Sequence, residues 1–148
     1  MEAAKFSRSY SRTELRRSGP KIRVTIGHPE AALKAARQAG KKLKDPFTVT
    51  ALIDTGAART VINPQLVETC GLRRTGEAQI ASAGHVTKRQ EFAGAIHFPD
   101  HDLAAFDPIS LVACPLPEQD VACLLGRNVL ERWNPIYDGR SGYVEVEE

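Results

Sequence analysis

The stretch TALIDTGAARTVI, residues 50–62, constrains this chain more than any other. A largely apolar run ends in an aspartate, and a Thr-Gly turn follows at once. FTVTALI, residues 47–53, reads as a strand, so Asp54 is expected at the inner end of a buried element. Burying an ionised carboxylate costs several kcal/mol unless it is paired or hydrogen-bonded. Asp54 therefore either caps a turn or does chemistry.

The rest of the chain supplies short strands. KIRVTI, residues 21–26, alternates polar and apolar with β-branched residues. AQIASAGHVTKRQEFAGAIHF, residues 78–98, predicts a hairpin with a small-residue tip at 81–84. ISLVA and VACLLG read as further strands, separated by the Pro-rich connection CPLPEQD, while HFPDHDLAAFDP reads as loop. IYDGRSGYVEV closes the chain as a hairpin turning at 138–142. Helices are fewer. NPQLVETCGL has Asn63 to cap, Pro64 at the first position and Gly71 to close. RNVLERW is a C-terminal helix stopped by Asn134-Pro135. PEAALKAARQAGKKL starts with Pro29, but its apolar face is mostly Ala plus Leu33 and Leu43, which suits a surface helix or a loosely ordered insertion over 27–45. The expected class is mostly β, a barrel or a sandwich.

At 148 residues the chain holds one domain with appendages. Its net charge is +2, unevenly spread. Residues 1–44 carry twelve Lys/Arg against three acids, and residues 45–148 carry eight against fifteen. Residues 1–20, ending in Ser-Gly-Pro, read as a basic disordered arm before a folded domain over 21–148. Cys70, Cys114 and Cys123 are odd in number, with no CxxC spacing and no matching histidine pair, so neither a disulfide framework nor a zinc site is expected. Reduced thiols fit a cytoplasmic setting. No apolar run is long enough to span a membrane, and the first twenty residues lack an apolar export signal.

An isolated Asp-Thr-Gly is weak evidence, because an aspartate often just begins a turn. Here it follows a buried strand, and LLGRNVL, residues 124–130, is a second buried strand that ends in glycine and enters a helix. ALIDTGA followed by LLGRNVL, with a flap-like hairpin between, resembles the retropepsin-like aspartic proteases, which include retroviral proteases and single-domain bacterial relatives. The resemblance runs from about Phe47 to Leu130 and more loosely through the final hairpin.

It implies a closed or partly open acid-protease β-barrel and an endopeptidase that needs no metal, cofactor or covalent intermediate. Peptide hydrolysis then requires one carboxylate to take a proton from water and another acid to protonate the carbonyl oxygen. This chain holds one Asp-Thr-Gly, so a homodimer placing two copies of Asp54 across a two-fold axis is implied. By the same resemblance, Thr55 bonds across the axis and Gly56 lets the backbone approach an extended polypeptide substrate. Ala57 packs beside the dyad, while Leu52, Ala122 and Leu124 line side-chain pockets. Ser82, Ala83 and Gly84 form the flap tip, and Gly126 lets its strand pass close behind the Asp54 loop. His85 follows the tip with no role assigned.

The chain departs from the retroviral pattern at Ala58 and Arg59, where relatives often carry acids. Arg127 thus lacks its usual partner and must find another acid or a backbone carbonyl. Arg59, at the cleft mouth with Ala58, is placed to favour acidic substrate residues. The flap reads as short, and the extra C-terminal hairpin is expected to sew the dimer through YVEVEE. Two other readings remain: a catalytically silent dimer of the same fold that grips peptides by strand addition, and a nucleic-acid role for the basic arm. The acidic body, without interleaved aromatic and basic residues, argues against nucleic acid as the principal partner.

Overall fold

A computed structural model describes residues 5–117 and 120–148, with the backbone alone of Ser82. The first four residues of the expected arm, residues 118–119 of the Pro-rich connection and the Ser82 side chain lie outside the described residues. The chain runs β1 (Lys5–Ser9), α1 (Arg12–Ser18), β2 (Lys21–Gly27), α2 (Glu30–Gln38), β3 (Phe47–Ile53), β4 (Val61–Ile62), α3 (Pro64–Cys70) and β5 (Arg73–Ser82). It continues through β6 (His85–His97), β7 (Phe106–Ala113), β8 (Cys123–Leu125), α4 (Arg127–Leu130), β9 (Asn134–Asp138) and β10 (Tyr143–Glu147).

Seven strands form one sheet in the order β2-β3-β8-β4-β7-β6-β5. The sheet nearly closes into a ring because β6 changes partners along its length. Its first part pairs with β5 up to the Arg73–Ala93 pair, and β2 then takes that edge, with Gly27 opposite Ala95 and Thr25 opposite His97. Ile22, Val24 and Ile26 alternate inward from β2 and meet Ala51, Ile53, Ile96, Leu111, Cys123 and Leu125 in the core. Burying each of the larger aliphatic chains contributes roughly 1.5–3 kcal/mol relative to exposure. Helix α3 is capped as its residues dictate: Asn63 Oδ1 accepts from the Gln65 N–H at 3.2 Å, Pro64 opens the helix, and Gly71 ends it at φ +63°.

The flexible arm expected over 1–20 is not what residues 5–18 adopt. β1 pairs antiparallel with β10, and Ser11 caps α1 by accepting from the Glu14 N–H at 3.0 Å. Phe6, Tyr10 and Leu15 supply the apolar anchors: Phe6 joins the main core, while Tyr10 and Leu15 pack with Val144. The Tyr10 hydroxyl accepts from the Lys21 N–H at 3.1 Å. Three buried side chains and a five-residue ladder offset the ordering entropy that a tail of Arg and Ser alone could not.

Other differences are smaller. The segment over 27–45 is helical only in α2, and no residue of α2 is buried, as its Ala-rich face predicts. α4 spans only Arg127–Leu130; Glu131–Trp133 continue as tighter turns, with the Arg132 and Trp133 N–H groups donating to the Val129 and Leu130 carbonyls, before β9 begins at Asn134. The strand expected at ISLVA starts earlier, at Phe106. The β5–β6 hairpin is long rather than short, with strands of ten and thirteen residues. Its tip is tight: Ala83 and Gly84 both take positive φ, 46° and 82°. YVEVE, expected to sew a dimer, is the inner strand of a second, three-stranded sheet ordered β1-β10-β9. Both edges of β10 are occupied within the chain, so it has no edge left for a second copy.

Candidate active site

β3 lies parallel to β8, with Leu52 opposite Leu124 and Ile53 opposite Leu125. The Asp54 N–H continues that ladder by donating to the Leu125 carbonyl at 3.0 Å. The chain then turns. Asp54 Oδ1 accepts from the Gly56 N–H at 2.8 Å, and the Ala57 N–H reaches the Asp54 carbonyl at 3.3 Å. This is the local turn an aspartate favours, and it fixes the carboxylate's orientation. A Cβ on Gly56 would stand 3.2 Å from Oδ1, so a side chain there crowds the carboxylate. Asp54 is half-buried, and Thr55 and Gly56 are exposed.

The loop is fastened from below by the β8–α4 junction. Gly126 passes so close that a Cβ would lie 2.3 Å from the Arg59 carbonyl oxygen and 2.9 Å from that of Ala57. Only glycine fits such an approach to backbone. The next residue donates twice: the Arg127 N–H to the Ala57 carbonyl at 2.7 Å, and Nη1 to the Thr55 carbonyl at 2.8 Å. Arg127, deprived of an acid by Ala58, is thus satisfied by backbone, and Ala58 itself is exposed. Thr60, fully buried, completes the junction. Its Oγ1 donates to Asn128 Oδ1 at 2.8 Å and accepts from the Gly126 N–H at 3.3 Å.

Arg59 is not the free cation expected at a cleft mouth. Its Nη2 forms an ion pair with Glu91 on β6 and donates to Ser110 Oγ on β7 at 2.9 Å. Its charge is spent on the protein's own strands.

A groove of about 430 Å³ opens beside the carboxylate, bringing together Leu52, Asp54 and Thr55 with Ile136 and Tyr137 of β9. The other expected pocket residues lie elsewhere. Ala122 lines a separate cavity with Phe47, Val49 and Leu116. Leu124 packs in a small cluster with Val61, Ala78, Ile80 and Val112. Ala83 and Gly84 are exposed at the hairpin tip and do not line the Asp54 groove, and exposed His85 opens β6. Reading the sequence missed Thr60, Glu91 and the β9 pair. A lone hydroxyl before the apolar Val61-Ile62 and a lone acid before Phe92 were the available signals.

Two further facts bear on the site. Among the described residues no group of three or more His, Cys, Asp or Glu side chains could hold a metal ion. No described helix is long and apolar enough to cross a membrane.

Burial governs the thiols. Desolvation pushes Cys123 up to about 12. It also raises Cys70, against smaller opposing effects from a Phe47 backbone hydrogen bond and the Lys44 charge.

Comparison with known proteins bears on the family and the fold. The family model described as "gag-polyprotein putative aspartyl protease" matches residues 42–132, which include the Asp54 loop, the β5–β6 hairpin and the β8–α4 junction. Among solved structures, a retropepsin-like aspartic protease from Rickettsia conorii superposes with a TM-score of 0.55 at 14% identity. That match covers 98% of this chain and 91% of the other, a likeness of fold. No curated protein matches. With the family match spanning more than half its length, the chain belongs to the retropepsin-like aspartic proteases.

Proposed function

We propose that the protein is an aspartic endopeptidase whose active unit is a homodimer, with one Asp54 from each chain facing the other across the two-fold axis. The observation that carries this is the placement of Asp54. A strand delivers it to an open groove, its Oδ1 is oriented by the Gly56 N–H, and its loop is fastened by Gly126 and Arg127.

Two carboxyls a few ångströms apart cannot both ionise, so the pair shares one proton. The ionised member takes a proton from water, whose oxygen attacks the scissile carbonyl carbon. The protonated member gives its proton to the carbonyl oxygen, producing a tetrahedral diol. Breakdown returns a proton to the departing nitrogen, and the carbon–nitrogen bond breaks. The titration belongs to the pair rather than to either residue. Thr55 bonds across the axis, Gly56 admits the substrate backbone, Leu52 contacts an apolar substrate side chain, and the β5–β6 hairpin closes over the peptide to exclude water.

The surface beside the carboxylate supports a dimer. Ile136 and Tyr137 are 50% and 58% exposed on β9, which ends its sheet with one unpaired edge among the described residues. Exposed apolar side chains on an open strand edge next to a half-complete site are what a second copy would cover. The test is mass-spectrometric mapping of cleavage in an unfolded protein by the wild type and by Asp54→Asn, with oligomeric state measured in the same buffer. Cleavage by a wild-type dimer and none by the variant supports the reading. Cleavage that persists in Asp54→Asn refutes it, and peptide binding without turnover by the wild type favours a silent binding module.

A further inference from the structure

From the Arg59–Glu91 ion pair we infer that Arg59 is a positioning residue, coupling the Asp54 loop to the root of the β5–β6 hairpin. The inference rests on the proposed protease reading for its consequence, though not for its geometry. Arg59 lies near the end of the short loop between β3 and β4 that begins at Asp54, and its carbonyl is pressed against Gly126. Its side chain leaves that fixed point and spans two strands, reaching Glu91 on β6 and Ser110 on β7.

Glu91 occupies a particular place on β6. From Glu91 onward the strand is paired with β7, beginning with Glu91 opposite Val112. From His85 to Gln90 it pairs with β5 only. Among the described residues, neither strand of the hairpin has another ladder partner beyond that point. The opposing residue is Gly76, immediately after the register shift between Arg74 and Gly76. A bulge with a glycine bends a strand at such a place. Glu91 thus sits where the hairpin leaves the body, and Arg59 grips it there.

The contact is partly buried, with 34% of the Arg59 and 20% of the Glu91 side chain exposed. Removing one partner leaves the other charge poorly solvated, so the pair resists separation. Swinging of the hairpin about its root therefore pulls on the loop that carries Asp54, and ordering of that loop favours one hairpin position. A pair that ties the hairpin root to the loop holding the carboxylate acts on substrate capture and on the geometry of the carboxylates together.

The test uses the full chain with Glu91→Gln, Arg59→Met and the reciprocal Arg59→Glu/Glu91→Arg. Amide hydrogen exchange is followed in residues 55–58 and 77–90, and kcat and KM are measured on a peptide cut by the wild type. Each single variant is expected to speed exchange in both segments by about threefold or more, and to raise KM by a larger factor than it lowers kcat. The reciprocal variant is expected to recover most of both, the non-additivity that marks a direct coupling. Exchange that rises only beside the altered residue overturns the inference, as does a well-folded reciprocal variant that recovers nothing. Glu91→Gln keeps the shape of the side chain, so it serves if the others fold poorly. If the wild type cuts no peptide, the protease reading fails, and the exchange data still decide the coupling.

Discussion

Arg127 Nη1 donates to the Thr55 carbonyl at 2.8 Å, where retroviral relatives often set an acid two places after the glycine. With Ala58 at that place, the guanidinium is satisfied by the loop itself, and the loop carrying Asp54 is pinned to α4 through backbone. Arg127→Met should leave the core intact and lower unfolding free energy by about 1–2 kcal/mol, a charge-assisted hydrogen bond at an exposed site. Peptide hydrolysis should fall far more, about 100-fold in kcat/KM, because misplacing the carboxylate is costly. Steady-state kinetics beside urea unfolding separates the two effects.

Gly126→Ala makes a sharper demand. The new Cβ would meet the carbonyl oxygens of Arg59 and Ala57, and neither belongs to a flexible side chain. The loop or the β8–α4 junction must move, at a cost of about 3 kcal/mol or more. Thermal unfolding should show a large drop, or the protein should fail to accumulate.

The N-terminal segment is structural. Leu15 is 1% exposed and packs with Tyr10 and Val144. Leu15→Ala should cost about 2–3 kcal/mol in denaturant unfolding. Deleting residues 1–20 should do worse, since it uncovers the outer edge of β10 and the partners of Phe6. A passive arm would leave stability unchanged in both cases.

Alkaline pH provides a separate check on the core. Burial holds the Cys123 thiol protonated up to about 12, against 9.0 in an open chain. Between those values the unfolded chain loses this proton and the folded one keeps it, so the unfolded state binds fewer protons and stability falls as pH rises. Cys123→Ala should flatten that decline in unfolding free energy. An unchanged slope would mean the thiol is not protected.

What could be read from the sequence was local. β3 and the turn after Asp54 follow from FTVTALI and Asp-Thr-Gly, and α3 follows from Asn63, Pro64 and Gly71, because strand pattern, turn and cap chemistry act within a few residues. The close approach at Gly126 was legible through the family resemblance of LLGRNVL, and a Cβ there would indeed meet backbone. What was illegible depends on partners far along the chain. The order of residues 5–18 rests on pairing with β10 at the opposite end, and the composition of the segment hides it. The roles of Thr60 and Glu91 need Asn128 and Arg59 brought alongside by the sheet. Ala122 precedes β8 and faces another cavity than Leu52, a geometry that alternation alone did not fix.

The most direct measurement mixes wild type with Asp54→Asn at equal amounts, after re-equilibration, and follows peptide cleavage at constant wild-type concentration. If each active centre takes one carboxylate from each chain, random re-pairing should reduce the rate to about half, and excess variant should abolish it. A rate that ignores the added variant, while mixed pairs demonstrably form, would contradict the shared site.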